Sequence, residues 1–300
     1  MSFPNKFEKI FVVILAWNHY EDTQECLRSF LDSEGVNLEI ILVDNGSTDG
    51  TGDKIKSEFP AVSIVRSEKN LGVSGGYNLG IQHAVQSGAE YVLIANNDIS
   101  VHPRMVLNLV TTLLGDSRIG IAMPKIYHYY GDRTRVWTIG GRWRKFPPTV
   151  KLMAYNAPDR PAYQVLRRID YAPSCCYLLR REVVAQVGLF DEGYFFYFDD
   201  WDYSARVYQA GYSIWLVPDA KMWHKVSLST QKSDKPFQWW QYMGRSAYRF
   251  YSKYCTKLQL ILFSAWFFIR EALKLKPWRS IAYLTGVFQE ARLSRGREKA

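Results

Sequence analysis

The sequence predicts an α/β protein built on a mostly parallel sheet. Over the first 125 residues, short apolar runs alternate with segments of helical periodicity, which is typical of βαβ units. Three of the apolar runs end in polar clusters, at the edge where open α/β sheets bind ligands. The chain has 300 residues, which suits one large domain or two smaller ones, and its 47% hydrophobic and 22% charged residues are ordinary for a globular protein.

The predicted strands are short apolar runs, as expected for strands that are buried on both faces. They cover residues 10–17, 39–44, 62–67 and 91–95. The intervening helices are predicted over residues 20–33, 47–59, 75–88 and 103–114. Gly88 closes the third helix and Pro103 stands near the start of the fourth, which are favoured positions for these two residue types.

The second half of the chain is less regular. Residues 126–170 are rich in Arg and Lys and predict a hairpin or a lid. Helices are predicted over 180–187 and about 200–210, followed by a strand at 213–217. Residues 235–295 have long apolar faces of helical periodicity, so we expect a C-terminal helical extension.

Positive charge is concentrated in the last quarter of the chain. Residues 221–300 carry 16 Lys+Arg and 4 Asp+Glu, whereas residues 1–220 carry 22 and 25. A basic segment rich in aromatic residues suits a surface of anionic lipid, and the apolar run 260–269 is too short to span a bilayer. The alternative is a solvated basic tail. Because no nucleic-acid-binding motif accompanies the charge, we do not expect nucleic acid as a partner.

These features predict a first domain at residues 1–225, with halves at about 1–125 and about 126–225. A basic, aromatic segment at 226–300 would follow and associate with a membrane. The four cysteines show no CxxC spacing of the kind that binds zinc. A chain of this length does not need disulfides, which favours a reducing compartment. The N-terminal apolar run is short and has charged neighbours, so it predicts a strand rather than a signal peptide. We therefore expect a cytoplasmic protein, peripheral on the inner face of the cell membrane.

The polar clusters that end three predicted strands are Asn18, Asp44-Asn45 and Asn96-Asn97-Asp98. Asn and Asp are turn formers, so each cluster alone could be a turn. Three clusters at one edge of the sheet favour a binding site. A carboxylate such as Asp44 can accept a hydrogen bond from the ring N–H of uracil or thymine, although the residues after it also predict a helix cap.

The glycine-rich segment "EKNLGVSGGYNLGI" leads into a predicted helix. It matches neither the dinucleotide fingerprint nor the P-loop. Glycines at a helix start allow a phosphate to approach the backbone. Tight packing of the helix against the sheet explains each glycine equally well.

The densest feature is "FDEGYFFYFDDWDYSAR", in which Asp199, Asp200 and Asp202 crowd a predicted helix start. One carboxylate satisfies a helix N-terminus, so three beside an aromatic run need another reason. Aromatic rings and a carboxylate suit a sugar pocket, in which the carboxylate serves as general base. His224 ends a strand and, taken alone, is more often structural, but it gains weight as a partner for Asp98.

Seven segments resemble, in order, the family 2 inverting glycosyltransferases with the GT-A fold, especially their rhamnosyltransferase-like branch. The resemblance covers about residues 9 to 225, and it implies a nucleotide-sugar half at about 1–125 and an acceptor half at about 126–225. The segments are "VVILAWN", "IILVDNGSTDGT", "EKNLGVSGGYNLGI", "YVLIANNDI", "YAPSCCYLLRRE", "GLFDEGYFFYFDDWDYSARVYQAGY" and "VPDAKMWHK". Seven motifs in order are specific for the family and much less specific for the donor sugar.

The resemblance implies an enzyme that transfers a sugar from a nucleoside-diphosphate sugar to a hydroxyl of a glycan or lipid-linked acceptor in cell-surface polysaccharide synthesis. The donor would be dTDP-rhamnose or a UDP-sugar. Asp200 would be the catalytic base, and Asp98 with His224 would bind Mg or Mn. Asn96 replaces the first acid of the family's metal motif.

By the same resemblance, a further set of residues would contact the nucleotide sugar: Asn18, Asp44, Asn45, Asn70, Gly75, Gly76, Asn96 and Asn97. Four more would contact the acceptor or support the site: Asp199, Trp201, Asp202 and Arg206.

The two alternative functions are a nucleotidyltransferase and an inactive partner subunit. A nucleotidyltransferase needs a Gly-rich loop with Lys or Arg after its first strand, and "AWNHYEDTQ" has neither. An inactive nucleotide-binding partner subunit of the same fold is supported by Asn96 and opposed by the intact Asp98, Asp200 and His224.

Overall fold

The computed structural model describes residues 9–144, 149–226, 236–273 and 277–297. Residues 1–8 of the predicted first domain therefore lie outside the described residues. The same holds for residues 145–148 of the predicted hairpin, and for residues 227–235, 274–276 and 298–300 of the predicted C-terminal segment.

The described chain alternates strands and helices in its first half and ends in three helices. The strands are β1 (Ile10–Ala16), β2 (Leu38–Asn45), β3 (Ser63–Ser67), β4 (Tyr91–Asn96), β5 (Ile99–Val101), β6 (Ile119–His128), β7 (Arg135–Thr138), β8 (Gly141–Arg144), β9 (Thr149–Leu152), β10 (Ala157–Pro158), β11 (Arg167–Ile169), β12 (Cys176–Arg180) and β13 (Ser213–His224). The helices are α1 (Tyr20–Leu31), α2 (Thr51–Glu58), α3 (Gly72–Gln86), α4 (Met105–Gly115), α5 (Arg181–Val187), α6 (Asp199–Gln209), α7 (Phe237–Tyr254), α8 (Lys257–Leu273) and α9 (Pro277–Arg297).

The first half of the sheet is parallel, as predicted. Its strands lie in the order β3-β2-β1-β4, with Ile10 of β1 opposite Leu38 of β2 and Tyr91 of β4. Residues on both faces of β1 and β4 are buried, which explains why these strands are apolar without alternation. Parallel strands align their carboxyl ends, so residues that follow β1, β2 and β4 meet at one edge.

The second half makes the sheet mixed. Strand β12 runs antiparallel between β4 and β6, and β13 pairs parallel with β6. The β8–β9 pair is the antiparallel hairpin expected within residues 126–170. The insertion of β12 next to β4 brings the segment before it, residues 171–175, to the edge that carries the polar clusters.

Strand β6 was not predicted, because Pro124 interrupts its apolar pattern and the irregular region was expected to begin at residue 126. A proline offers no N–H to a neighbouring strand. The structure accommodates it by a shift of register: Val217 of β13 lies opposite Pro124, and Lys221 lies opposite the next residue, Lys125. The extra residues in β13 form the irregularity that a central proline requires.

The three C-terminal helices form a second hydrophobic core with the aromatic run of residues 194–198. Tyr194 and Phe198 pack in one buried cluster with Phe250 and Tyr251 of α7, and with Phe267 of α8. The predicted helical extension is confirmed. Among the described residues, no helix combines the length and the apolar character needed to cross a bilayer.

Candidate active site

The end of β1 is tied to the end of β2 by hydrogen bonds of Asn18. Asn18 and His19 have left-handed backbone angles, φ 60° and 65°, which turn the chain into α1. The backbone N–H of Asn18 donates to Ser47 Oγ at 2.8 Å, and its side-chain Oδ1 accepts from the N–H of Thr48 at 2.8 Å. Asn18 is one of the residue types that tolerate this conformation best.

Asp44 and Asn45 are buried at the end of β2, each with 2% of its surface exposed. Asp44 accepts hydrogen bonds from the Arg66 guanidinium at 3.0 Å and from the backbone N–H of Ser47 at 3.0 Å. Asn45 donates to Asn70 Oδ1 at 3.2 Å, so the structure brings these two predicted residues together. The polar groups at the end of β2 are therefore held largely by one another and by local backbone.

Gly76 lies where α3 crosses β1. A Cβ added to it would overlap Leu15 Cδ1 and stand 3.0 Å from Asn45 Nδ2. A Cβ at Gly75 would meet the Leu71 side chain at 2.8 Å. Close helix–sheet packing thus explains Gly76, whereas the proposed contact of Gly75 and Gly76 with the donor remains a prediction.

Asn96 and Asn97 use their side chains to connect β4 with neighbouring elements. The hydroxyl of the buried Tyr77 lies 2.7 Å from Asn96 Oδ1 and 2.9 Å from the carbonyl oxygen of Ser174. The Asn97 amide donates to Thr23 Oγ1 at 2.9 Å and to the Asn18 carbonyl at 3.2 Å. Asn96 thus faces the segment before β12, whereas Asn97 faces the start of α1.

Asp98 and His224, which are 126 residues apart in the sequence, lie side by side. His224 Nε2 is 3.1 Å from Asp98 Oδ1, and their side chains are 8% and 18% exposed. His224 Nδ1 is buried and has no hydrogen-bond partner among the described residues. The Trp137 ring lies edge-on to the His224 imidazole, with 5.1 Å between the ring centroids.

Asp98 Oδ1 and His224 Nε2 lie close enough to serve as adjacent ligands of one divalent cation. Mg prefers oxygen ligands at 2.0–2.1 Å in octahedral geometry, and neighbouring ligands in such a shell stand about 3 Å apart. Within the described part of the chain, no group of three or more His, Cys, Asp and Glu side chains could hold a metal ion. Asp98 and His224 would thus supply part of a coordination shell, and a bound donor and water would supply the rest.

A cavity of about 400 Å³ adjoins His224 on the side of β6 and β7. Burial is the main cause that lowers the pKa of His128, which lines the cavity, and the neighbouring His224 and Arg135 lower it further. The lining residues are His128, Tyr130, Gly131, Asp132, Arg135, Asn156, His224, Lys225 and Val226.

Asp199 and Asp200 begin α6 and face different partners. The Ser174 hydroxyl donates to Asp199 Oδ2 at 2.8 Å, and the Tyr171 hydroxyl donates to Asp200 Oδ2. Burial raises the pKa of both carboxyls, and the neighbouring charge of Asp200 raises the pKa of Asp199 further. The hydrogen bonds from Tyr171 to Asp200 and from Ser174 to Asp199 both oppose this rise. Because the charge of Asp200 adds to the rise at Asp199, Asp200 ionises before Asp199 as the pH rises. Asp200 is therefore the carboxylate of the pair that is available as a base near neutral pH.

Asp202 and Arg206 have structural surroundings. Asp202 is fully buried and accepts from Arg206 at 2.7 Å, from Lys253 at 2.7 Å and from the Tyr254 hydroxyl at 2.9 Å. Arg206 also donates to two backbone carbonyls that precede the aromatic run. Trp201 is partly exposed and its ring lies edge-on to Trp143 of β8 at 5.9 Å.

The segment before β12 joins the two groups of acids. The Cys175 carbonyl accepts from the backbone N–H of Asn96 at 2.9 Å, two residues before Asp98. The preceding residue, Ser174, binds Asp199 through its hydroxyl. The Asp98–His224 pair and the Asp199–Asp200 pair thus adjoin the same short segment, residues 174–175.

Sequence reasoning missed Tyr171, Ser174 and Tyr77 as site residues. Tyr171 and Ser174 stand in the quoted segment "YAPSCCYLLRRE", which was the available signal, but no pattern in it indicates which acid each residue binds. Trp143 lies in the region 126–170, whose role the sequence did not indicate.

The chain is similar to known proteins in sequence and in fold. The sequence model of the family described as "Glycosyl transferase family 2" matches residues 11–188. The chain is 28% identical over 229 residues to an N-acetylglucosaminyl-diphospho-decaprenol L-rhamnosyltransferase of Mycobacterium tuberculosis, a match that covers 68% of this chain and 73% of that protein. It is 22% identical over 230 residues to the dTDP-rhamnosyl transferase RfbF of Shigella flexneri, covering 72% and 69%.

The fold also matches solved structures. The crystal structure of GalNAc-T7 with UDP, GalNAc and Mn²⁺ superposes with a TM-score of 0.60 at 17% identity, covering 80% of this chain and 47% of that chain. This chain therefore spans about half the length of that protein. The GT-A fold expected from the sequence is confirmed.

Proposed function

Because the chain belongs to glycosyl transferase family 2, we propose that this glycosyltransferase is an inverting enzyme that uses a nucleoside-diphosphate sugar as donor. The acceptor would be a hydroxyl of a glycan or a lipid-linked glycan in cell-surface polysaccharide synthesis. The observation that carries the proposal is the meeting of the Asp98–His224 pair and the Asp199–Asp200 pair on either side of residues 174–175.

In the proposed reaction, Asp200 accepts the proton of the acceptor hydroxyl. The freed oxygen forms a bond to the anomeric carbon from the face opposite the leaving group. The bond from that carbon to the nucleoside diphosphate breaks at the same time, so the configuration inverts. The Tyr171 hydroxyl keeps Asp200 ionised, and Asp199 retains its proton to higher pH, so the two acids do not repel each other as two anions.

The proposed cation, Mg or Mn, would be held by Asp98 and His224. When bound, it would neutralise charge on the departing diphosphate. The proposed nucleotide-contact residues are hydrogen-bonded to their neighbours, as seen for Asn18, Asp44, Asn70 and Asn97. This edge would therefore offer a preformed surface to the donor. The Asn96 side chain accepts a hydrogen bond from the Tyr77 hydroxyl, and its contact with the donor stays part of the proposal.

We take dTDP-rhamnose as the first donor to test, with UDP-sugars as the alternative. Two relatives whose printed names include rhamnosyltransferase activity, one of them with dTDP, support this choice. Identities of 28% and 22% are too low to carry the donor over.

The test is nucleoside diphosphate release from dTDP-, UDP- and GDP-sugars, with Mn²⁺ or with EDTA, for the wild type and Asp200→Asn. Loss of a general base costs about 10² to 10⁴ in rate, so turnover should fall by about 10³. Asp219→Asn, an exposed position on β13, is the matched control and should retain full activity. If the wild type turns over no donor, even with lipid-linked acceptors, the proposal is wrong and the inactive partner subunit becomes the better explanation.

We also propose that the C-terminal helices rest on an anionic membrane surface near the acceptor. Helix α8 exposes a continuous apolar stripe about 22 Å long, since its ends are fifteen residues apart. Its members are 44–79% exposed and recur at helical spacing: Leu258, Ile261, Leu262, Trp266, Ile269 and Leu273. The excess of Lys and Arg in residues 221–300 matches anionic headgroups.

Vesicle sedimentation tests the membrane proposal. The wild type should sediment with phosphatidylglycerol-containing vesicles and less with phosphatidylcholine alone. The double variant Ile261→Glu with Trp266→Glu should stay in the supernatant, whereas Leu114→Glu, at an exposed apolar position on α4, should bind as wild type. Equal sedimentation of the wild type and the double variant would contradict the proposal.

A further inference from the structure

The segment that leads into α6 has a backbone conformation that the chain does not adopt without support. Tyr197 and Phe198 both have φ 65°, in the left-handed region. Bulky aromatic residues rarely occupy this region, and such residues persist only where the surrounding structure fixes them. The next two residues are Asp199 and Asp200, so the direction of both carboxyls depends on whatever fixes this turn.

Helix α7 supplies much of that support through packing. The Phe198 ring lies 5.6 Å from the Phe250 ring and 5.9 Å from the Tyr251 ring. The Ser246 hydroxyl donates to the Phe196 carbonyl at 2.9 Å. Helix α7 therefore contacts the turn at the Phe198 ring and at the carbonyl of Phe196.

Charged groups of α7 hold the two ends of the same segment. At the start, the Arg249 guanidinium makes two hydrogen bonds to Asp191, at 2.9 and 2.8 Å. At the end, Lys253 Nζ donates to the fully buried Asp202 at 2.7 Å, beside the Tyr254 hydroxyl. Arg249 also donates to the buried Glu290 of α9 at 2.8 Å. The contacts that fix the segment therefore extend into the last helix.

We propose that α7 positions the catalytic base: Arg249 and Lys253 fix residues 191–202 at both ends, and thereby hold Asp200 toward the acceptor hydroxyl. These are positioning residues, because they touch Asp191 and Asp202 rather than the reacting groups. The inference rests on the proposed role of Asp200. It makes the C-terminal helices a part of the active site in addition to any role at a membrane.

The decisive variant is Lys253→Met. The Lys253 side chain is 41% exposed, so Met can replace its aliphatic stem, and Asp202 keeps Arg206 as a charged partner. The variant should therefore fold. A small displacement of a catalytic group is costly, so kcat should fall about tenfold, with KM for the donor within about twofold of wild type. Lys253→Arg restores the charge and should return kcat to within about threefold of wild type.

Lys56→Met is the matched control, since it removes an exposed lysine from α2 and should change neither parameter. A second measurement, hydrogen–deuterium exchange of peptides from residues 191–202, does not need a donor. Exchange there should be faster in Lys253→Met than in wild type, with unchanged exchange in β1 and β4.

The outcomes separate the positioning role from the proposed function. A lower kcat with faster exchange at 191–202 supports the inference, and an unchanged kcat with unchanged exchange overturns it. A uniform rise of exchange across the protein would mean that Lys253 only stabilises the fold, which also overturns it. If the wild type turns over no donor, the proposed function has failed, and the exchange of residues 191–202 alone decides whether Lys253 positions this segment.

Discussion

The two sides of the candidate site are built differently. On the side of β1, β2 and β4, buried and half-buried amides and carboxylates are hydrogen-bonded mainly to one another and to nearby backbone: Asn18 to Thr48, Asp44 to Ser47 and Asn45 to Asn70. On the side of α6, Asp199 and Asp200 lie among aromatic side chains. There each acid has a single neighbouring hydroxyl, from Ser174 or Tyr171.

This difference suits the β1, β2 and β4 side to binding and the α6 side to proton transfer. Groups that are already hydrogen-bonded present a rigid polar surface, as the binding of a charged diphosphate requires. Burial raises the pKa of the Asp199 and Asp200 carboxyls, as a base that works near neutral pH requires. Changes on the first side should therefore alter metal and donor dependence or stability, and changes on the second should alter pH dependence.

The largest effect is expected for Asp98→Asn, which removes the carboxylate of the proposed cation pair. A cation supplies several kcal/mol of charge stabilisation, so turnover at saturating donor should fall by about 10³. The Mn²⁺ concentration that gives half-maximal turnover should rise, while the pH profile keeps its shape. Titration of activity with Mn²⁺ checks this. Wild-type Mn²⁺ dependence in the variant would show that Asp98 does not bind the cation.

Gly76→Ala tests how rigid the first side is. The added methyl would overlap Leu15 and crowd Asn45, and overpacking of this kind costs about 2 kcal/mol of the free energy of unfolding. Gly115→Ala is the control, because a Cβ there meets nothing within 4 Å, and we expect a change within about 0.5 kcal/mol. Urea denaturation of both variants measures the difference. Equal stability of the two would mean that α3 shifts freely on the sheet.

The smallest effect is expected for Tyr171→Phe on the second side. In the wild type, the acid limb of the kcat/KM profile should lie above the ~3.9 of an ordinary Asp, because burial raises the pKa of Asp200. Tyr171 donates to the ionised form, so its loss raises this pKa further. A hydrogen bond to a charged group contributes about 1.5 kcal/mol, so the limb should move up by about one pH unit.

Activity rises with pH through this limb because the ionised form of Asp200 is the active one. The Tyr171→Phe variant should therefore approach the wild-type rate at high pH. Tyr177→Phe is the control, since its buried hydroxyl has no partner among the described residues. A limb that stays in place in Tyr171→Phe, or that moves equally in Tyr177→Phe, would contradict the assignment of Tyr171 to Asp200.

Local sequence patterns are enough to predict the four parallel strands, the helices between them and the polar strand ends, because each depends on local periodicity and turn residues. Asn18, Asp44 and Asp98 were placed at one edge for that reason, since parallel strands must align their carboxyl ends. The sequence did not predict β6, because Pro124 breaks the local pattern and only the register shift in β13 accommodates it.

The partners of Asp98, Asp200 and Asp202 depend on the tertiary structure and cannot be predicted from local patterns. His224 reaches Asp98, and Lys253 reaches Asp202, across sequence separations of 126 and 51 residues. Tyr171 reaches Asp200 through the insertion of β12 beside β4. Local patterns record how a segment folds, but burial and long-range contacts set the pKa and the direction of a carboxylate, and these arise only when distant segments pack together.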